Sequence, residues 1–445
     1  MTRHPIPLTR RHLLAGFGAA AVAGPAAVVR AQSRNPQTLA FHATSALLLL
    51  RPDQRETPVW SLRTDGSSAV LRFRQDEEID LILHNGLPAP LVLNWHGIDR
   101  VPSVEPLIVR RPVSPGKTDQ FSLPLHQAGT FLCDGRLLGD SLAQSSPARA
   151  LIVEERTPVE VDRDEVILIE DWRLDAEGLP TAPGPGGKKA EAPLYLVNGK
   201  PSLDLTLRVN DRFRLRFINA CQRNAIALGI QNLDVRIMAI DSQPAEPFLA
   251  RNGRLVLAPG TRVDAFIDAT VPAGTTSAVT LHDGRGPQQV ARLHISAETP
   301  VRAAPLPTPP PLPSSGLLAQ MDLKTALRVE MPLISPKGSS AAWIQPTLFN
   351  ASSAPAFRVK RGRTVVLTLT NTATLPMVFH LHGHHVRLLD RLDDGWKPFW
   401  LDTVLVDAGQ TQRVAFAADV AGAWLMEAMA VEWSAPRLVR WFAVE

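Results

Sequence analysis

At 445 residues, with 45% hydrophobic residues, 39 prolines and 28 glycines, the chain is too long for one ordinary domain and suits two or three, built from short strands and turns rather than long helices. Its net charge of +4 comes from the N-terminus: Arg3, Arg10, Arg11 and Arg30 fall within the first 31 residues, which hold no acid. The remainder carries 43 basic against 43 acidic residues, and this neutrality gives no support for nucleic acid or another polyanion as a partner.

The paired arginines of Thr9-Arg10-Arg11-His12-Leu13-Leu14 precede an apolar run from Leu13 to Val29, and Val29-Arg30-Ala31 offers a small-residue cleavage site. This pattern predicts a Tat-type signal peptide over 1–31, hence export of the folded chain to a bacterial periplasm. The run is short and contains glycine, which argues against a membrane anchor. No later segment reads as a transmembrane helix.

Three β-sandwiches are predicted next. The first covers 32–156, with strands near 69–74, 79–83, 91–96 and 150–153. The second covers 157–298, with strands near 165–169, 213–218 and 262–268. A proline-rich linker follows at 299–316, where Pro309-Pro310-Pro311 cannot join a central strand. The third covers 317–445 and holds strands near 365–369 and 441–444. The first and third share a phrase. Arg74-Gln75-Asp76-Glu77 precedes a strand ending in Asn85, and Lys360-Arg361-Gly362-Arg363 precedes one ending in Asn371. Each leads through a short loop to a histidine-bearing strand, a weak internal repeat. The two cysteines, Cys133 and Cys221, fall in different predicted domains and read as buried free thiols.

Phe379-His380-Leu381-His382-Gly383-His384-His385 is the clearest chemical signature. On a strand, alternate side chains share a face, so His380 and His382 present two imidazoles together. A copper site that moves electrons also needs a thiolate, and no cysteine follows His382.

Several phrases, in order, resemble the bacterial three-domain multicopper oxidases, the laccase-like family. Leu91-Val-Leu-Asn-Trp-His-Gly-Ile98 is similar to that family's His-Trp-His-Gly strand, and Ala128-Gly-Thr-Phe-Leu-Cys-Asp-Gly-Arg136 to its second ligand strand. Val197-Asn-Gly-Lys-Pro201 and Leu257-Ala-Pro-Gly-Thr-Arg-Val-Asp264 resemble central-domain phrases. Leu401-Asp-Thr-Val-Leu-Val406 and Gly422-Ala-Trp424 resemble the approach to its last ligand strand. The resemblance implies an all-β chain of three cupredoxin-like Greek-key β-sandwich domains.

In that family one copper in a Cys-His-His site collects electrons and three others reduce dioxygen. Carried over by position, the electron-entry site here holds Met377, Ala428 and Trp433, with Leu438 near the axial position. Asn94 and His380 take the place of the mononuclear ligands. His96, Asp134, Met429, Arg136, His382 and Glu427 take the places around the copper pair. Alanine coordinates nothing, and a thioether alone does not hold Cu(II). A guanidinium offers five donors and no acceptor, so Arg136 is expected to bridge Glu427 or Asp134 in space that copper would fill.

The resemblance therefore implies a protein with degenerate copper sites, carrying no cofactor or a single metal ion rather than four coppers. His96, His380 and His382, with Asp134 or Glu427, form the residual metal set; the other reading is that they only hydrogen-bond in a core. His384 and His385 read as surface or supporting residues, and Trp95 and Trp433 as core aromatics. No residue is singled out as catalytic. The expected function is a periplasmic structural or interaction protein whose partner is a protein or small molecule. The alternative is an oxidoreductase keeping one metal, copper or another, at the former trinuclear site. Intact four-copper chemistry is the third.

Overall fold

A computed structural model describes residues 37–51, 55–65, 70–138, 148–181, 192–318, 320–334, 342–390 and 397–445. The segment 1–31 read as a signal peptide lies outside them. Among the described residues strands account for nearly all regular structure, beside three one-turn 3-10 helices, in keeping with the proline and glycine content. Among the described residues no helix is long and apolar enough to cross a membrane.

The strands form six sheets, taken in three successive pairs, each pair closing over its own apolar core. One sheet of each pair follows a common plan. In the first pair the order is Val70–Arg74, Ala148–Glu154, Gly129–Leu137, Leu91–His96. In the third it is Arg358–Val359, Leu438–Val444, Gly422–Ala430, Met377–Leu381. In both, the first two strands are parallel and the rest antiparallel. The middle pair repeats the order with Leu203–Leu207, Pro287–Ile295, Thr276–His282 and Ile226–Ile230.

The repeated asparagine has a structural role. The Asn85 amide donates to the carbonyls of Ala89 and Val113 at 2.8 and 2.7 Å and accepts from the Leu87 N–H at 3.0 Å. Asn371 does the same with Leu375, Val406 and Ala373. Asn219 does it in the middle pair, with Asn224, Leu257 and Cys221. A side-chain amide thus satisfies backbone groups that a strand end leaves unpaired. The repeat expected in two segments is present in all three.

Buried arginines join the pairs. Arg212, Arg214 and Arg216 alternate along the strand Arg212–Asn219 and are essentially inaccessible. Arg214 bridges Asp264 at 2.6 Å and Glu155 at 2.8 Å, while Arg216 bridges Asp164 at 2.6 Å and the Thr130 hydroxyl at 2.8 Å. The proline-rich stretch 304–315 holds no strand. Arg212 ties it down by donating to the carbonyls of Leu306 and Pro307 at 3.1 and 2.8 Å.

Candidate functional site

Four strands carry most of the residues singled out in the sequence, with His382 just past the end of one of them, and period-two alternation sorts the strand residues into two places. On Leu91–His96, Leu91, Leu93 and Trp95 enter the first core, which leaves Asn94 and His96 on the opposite face. On Gly129–Leu137, Phe131 and Cys133 face that core, while Asp134 and Arg136 face away. On Met377–Leu381, Met377, Phe379 and Leu381 enter the third core and His380 faces out. On Gly422–Ala430, Trp424, Met426 and Ala428 are in that core and Glu427 faces out. Asn94 lies opposite Asp134, and His380 opposite Glu427. The outward faces of the first and third pairs meet, and the polar set is buried between them.

Arg136 is the centre of this buried set. Its Nε donates to Asp134 Oδ2 at 2.8 Å and its Nη1 to Glu427 Oε1. The choice between the two carboxylates left open by the sequence is resolved as both. Arg437 Nη1 donates to the second Glu427 oxygen at 3.0 Å. His382 Nδ1 lies 3.0 Å from Glu105 Oε1, which also accepts the Leu425 N–H at 2.9 Å. Its Nε2 is 3.7 Å from Glu427 Oε1, an ion-pair distance and too long for a hydrogen bond. Two guanidiniums and one imidazole thus meet three carboxylates in a closed space.

The three imidazoles adjoin. The ring centres of His96 and His380 are 4.2 Å apart, and those of His380 and His382 4.6 Å. Asn94 Nδ2 lies 3.1 Å from His96 Nε2; the amide is the donor, so that ring nitrogen accepts. His380 Nδ1 donates to the Asp402 carbonyl at 3.1 Å, which leaves Nε2 with the lone pair. Among the described residues, His380 Nε2, His382 Nε2, His96 Nδ1 and Asn94 Oδ1 have no hydrogen-bond partner. Gly260, at φ +93°, permits this packing: a Cβ there would sit 2.7 Å from His96 Cε1.

Burial and neighbouring charge divide the histidines. Burial, then the adjoining His380, holds His96 well below the ordinary imidazole range. Burial, then His382, pushes His380 down to about 4. Burial would also lower His382, but Glu105 and then Glu427 outweigh it and raise the group to about 9. Burial would raise Glu427, but Arg136 and Arg437 hold it well below the usual carboxylate range. One histidine of the three is therefore cationic at neutral pH, and it faces the carboxylates.

The other two histidines of the motif are buried, so a surface role is ruled out. His384 Nδ1 donates to the His382 carbonyl at 3.1 Å, and its ring packs among Trp424, Phe416 and Phe442. Gly383, at φ +65°, is required beside it, because a Cβ would meet the Trp424 ring at 2.0 Å. His385 contacts Asp99 at 2.6 Å through Nδ1 and the Asp241 carbonyl at 2.6 Å through Nε2. Burial lowers it, but Asp99 raises it more, to about 8. His385 belongs to a hub that joins all three sheet pairs. In it Arg262 grips both Asp402 oxygens at 2.9 and 2.7 Å and donates to the Ser242 hydroxyl at 3.1 Å. Asp241 Oδ2 accepts the N–H groups of Asp402 and Thr403 at 3.1 and 3.2 Å. The hub fixes the carbonyl that orients His380.

The positions matched to the electron-entry site lie elsewhere. Met377 and Ala428 are 3% and 1% exposed inside the third core. Trp433 is buried, with the Arg173 guanidinium 4.6 Å from its ring centre, a cation–π arrangement. Met429 packs with Val378 and Ala258. Trp95 is in the first core, and Cys133 and Cys221 are buried free thiols.

Glu105, Arg437 and the Arg262–Asp241–Asp402 hub carry this geometry and were not picked out from the sequence. Arg262 and Asp402 do stand inside two of the quoted family-like phrases, so the signal was present there. Glu105 and Arg437 sit in irregular segments with no local pattern.

Three family models described as multicopper oxidase match residues 49–143, 163–294 and 321–445. Multicopper oxidase MmcO of Mycobacterium tuberculosis is 24% identical over 424 residues, covering 83% of this chain and 80% of its own length. The solved multicopper oxidase from Pseudomonas thermotolerans superposes with a TM-score of 0.77 at 24% identity, over 92% of this chain and 100% of that one. Lac15, from a marine microbial metagenome, gives a TM-score of 0.73 at 25% identity, with the same two coverages.

Proposed function

The chain belongs to the multicopper oxidase family, and from that premise we propose that it works without four-copper chemistry, as a structural or interaction protein exported to the periplasm by the Tat route. The donor set does not fit four coppers. Ala428 offers no ligand and Met377 only a thioether, where Cu(II) needs a thiolate and imidazoles. One observation carries the reading: the Arg136 guanidinium sits between Asp134 and Glu427, at the positions matched to the copper pair. A fixed cation there repels a metal ion and occupies both carboxylates. Purified mature protein, loaded with copper, is expected to leave a phenolic dye unoxidised. Sustained turnover contradicts the proposal. Export is tested separately: replacing Arg10 and Arg11 together by Lys is expected to keep the protein in the cytoplasm.

A second reading keeps one metal at the former trinuclear site. It is favoured by the buried Nε2 lone pair of His380, which has no hydrogen-bond partner among the described residues, and by the neighbouring His96 ring. Against it, no group of three or more His, Cys, Asp or Glu side chains is arranged to hold a metal among the described residues. Elemental analysis of wild type and His382→Ala separates the two. An equal metal content in both removes His382 from any such site.

A further inference from the structure

We infer that the cleft between the middle and third sheet pairs is a docking groove for an extended, acidic segment of a partner protein, which adds as a strand to the free edge of Arg254–Leu257. The inference rests on the reading of the chain as an interaction protein, and it names the surface. The cleft has a volume of about 300 Å³ and is lined mainly by apolar side chains, among them Ile237, Ile240, Leu255, Val256 and Leu405.

Three strands that end their sheets border it: Gln243–Leu249, Arg254–Leu257 and Thr403–Val406. A terminal strand presents unpaired N–H and C=O groups, and folded proteins commonly blunt such edges with proline, charge or bulges. The edge Gln243–Leu249 is blunted in this way: it carries Pro244 and Pro247, and its partner strand has a register shift. Arg254–Leu257 carries no proline. One side of it pairs with Ile226–Ile230 and the other side has no strand. Val256, at its centre, is 67% exposed, and Leu249 and Phe248 beside the cleft are 48% and 40% exposed. An apolar floor beside an open edge is the arrangement by which a sheet takes up an extended peptide, backbone bonds giving affinity and alternate side chains entering the pocket.

Charge selects the occupant. Among the described residues, the charged ones lining the cleft are Arg251 and Arg254. Both are exposed, and neither is in an ion pair among the described residues. The complementary segment alternates apolar side chains and ends in carboxylates. Ala258, which also lines the cleft, packs with Val378, Met429 and Leu405 of the third sheet pair.

The test is calorimetric titration of the mature chain with three synthetic peptides: acetyl-Thr-Val-Thr-Val-Glu-Glu-amide, its Lys-Lys counterpart, and the Glu-Glu peptide N-methylated at alternate residues. The Glu-Glu peptide is expected to bind about fivefold tighter than the Lys-Lys peptide, the range of exposed ion pairs. N-methylation should abolish binding, and Arg254→Glu should remove the preference. Val256→Lys, at an exposed position where folding is not at risk, should weaken binding of the Glu-Glu peptide. Equal binding of the two charged peptides, or binding of the N-methylated one, overturns the inference. So does a molecular mass that rises with concentration and falls back in Val256→Lys, which would give the groove to a second copy of the chain. Dye oxidation by the same copper-loaded sample separates the two levels. Turnover overturns the non-oxidase reading, whereas no turnover and no peptide binding overturns the groove alone.

Discussion

Met377 and Ala428, matched by resemblance to the electron-entry copper, differ in kind from the positions matched to the copper cluster, where Met429 alone is apolar. Met377 and Ala428 lie on inward faces of one sandwich and pack among apolar neighbours. Asn94, Asp134, Arg136, His380 and Glu427 lie on outward faces, where two sandwiches meet; Arg136 links Asp134 and Glu427 as ions, while Asn94 bonds His96 and His380 bonds the Asp402 carbonyl. The difference follows from strand alternation. An inward position is closed by any side chain of suitable volume. An outward position faces polar groups from a second sheet pair, so replacing one partner leaves the others buried and unpaired. Apolar filling has made the first place part of a core. Ionic filling keeps the second as a joint between sandwiches.

The contrast is broken most severely at Arg136. Arg136→Ala strands Asp134 and Glu427 without their shared cation, and a loss of about 3 kcal/mol is expected in chemical denaturation. Arg136→Lys, which keeps a cation between the two carboxylates, should lose less than Arg136→Ala. An unchanged denaturation midpoint for Arg136→Ala would show that the network does not hold the joint.

In the apolar region the response should follow volume rather than charge. Met377→Ala is expected to cost about 2–3 kcal/mol by leaving a cavity, and Met377→Leu less than about 1.5 kcal/mol. Equal effects from the two would remove packing as the reason this position is filled.

The hub offers a pH readout. Burial works against the His385 cation, but Asp99 raises the group to about 8. A raised folded pKa gives a contribution that is full below the unfolded value of about 6.5 and lost as pH rises through about 8. The stability gap between wild type and His385→Gln should therefore be widest near pH 6 and shrink by up to about 2 kcal/mol by pH 9. A gap that does not vary with pH would mean that the imidazole is neutral in the hub.

The smallest change is expected from Ala428→Cys. It adds a single sulfur inside the third core, at a cost of about 1 kcal/mol, the low end for a small-to-large change. With Met377 and Trp433 in place of imidazoles it should give no blue thiolate–copper absorption after copper loading. A blue product would show that the neighbouring side chains can still ligate.

Much of the fold was legible because strand pairing and burial leave a local trace. The strands expected near 91–96 and 262–268 are found there. The phrase ending in Asn85 and Asn371 marked a common plan that the sheets repeat. Its third copy, at Asn219, escaped notice because no histidine strand follows it. The facing of Arg136 and Glu427 was also legible, since both stand at matched positions of ligand strands. Their partners were not. Glu105 follows a single 3-10 turn and Arg437 lies in a loop. Only the folded arrangement brings Glu105 to His382 and Arg437 to Glu427. Nor could alternation alone tell that the outward face of a strand would be covered, which is why His384 and His385 turn out buried rather than at the surface.

The decisive measurement is the copper content of the protein, expressed and purified with copper present and counted by elemental analysis. At most one metal ion per chain is expected, with no blue absorption, because a guanidinium and packed apolar side chains stand where ligands would be needed. Four coppers bound per chain would contradict that directly.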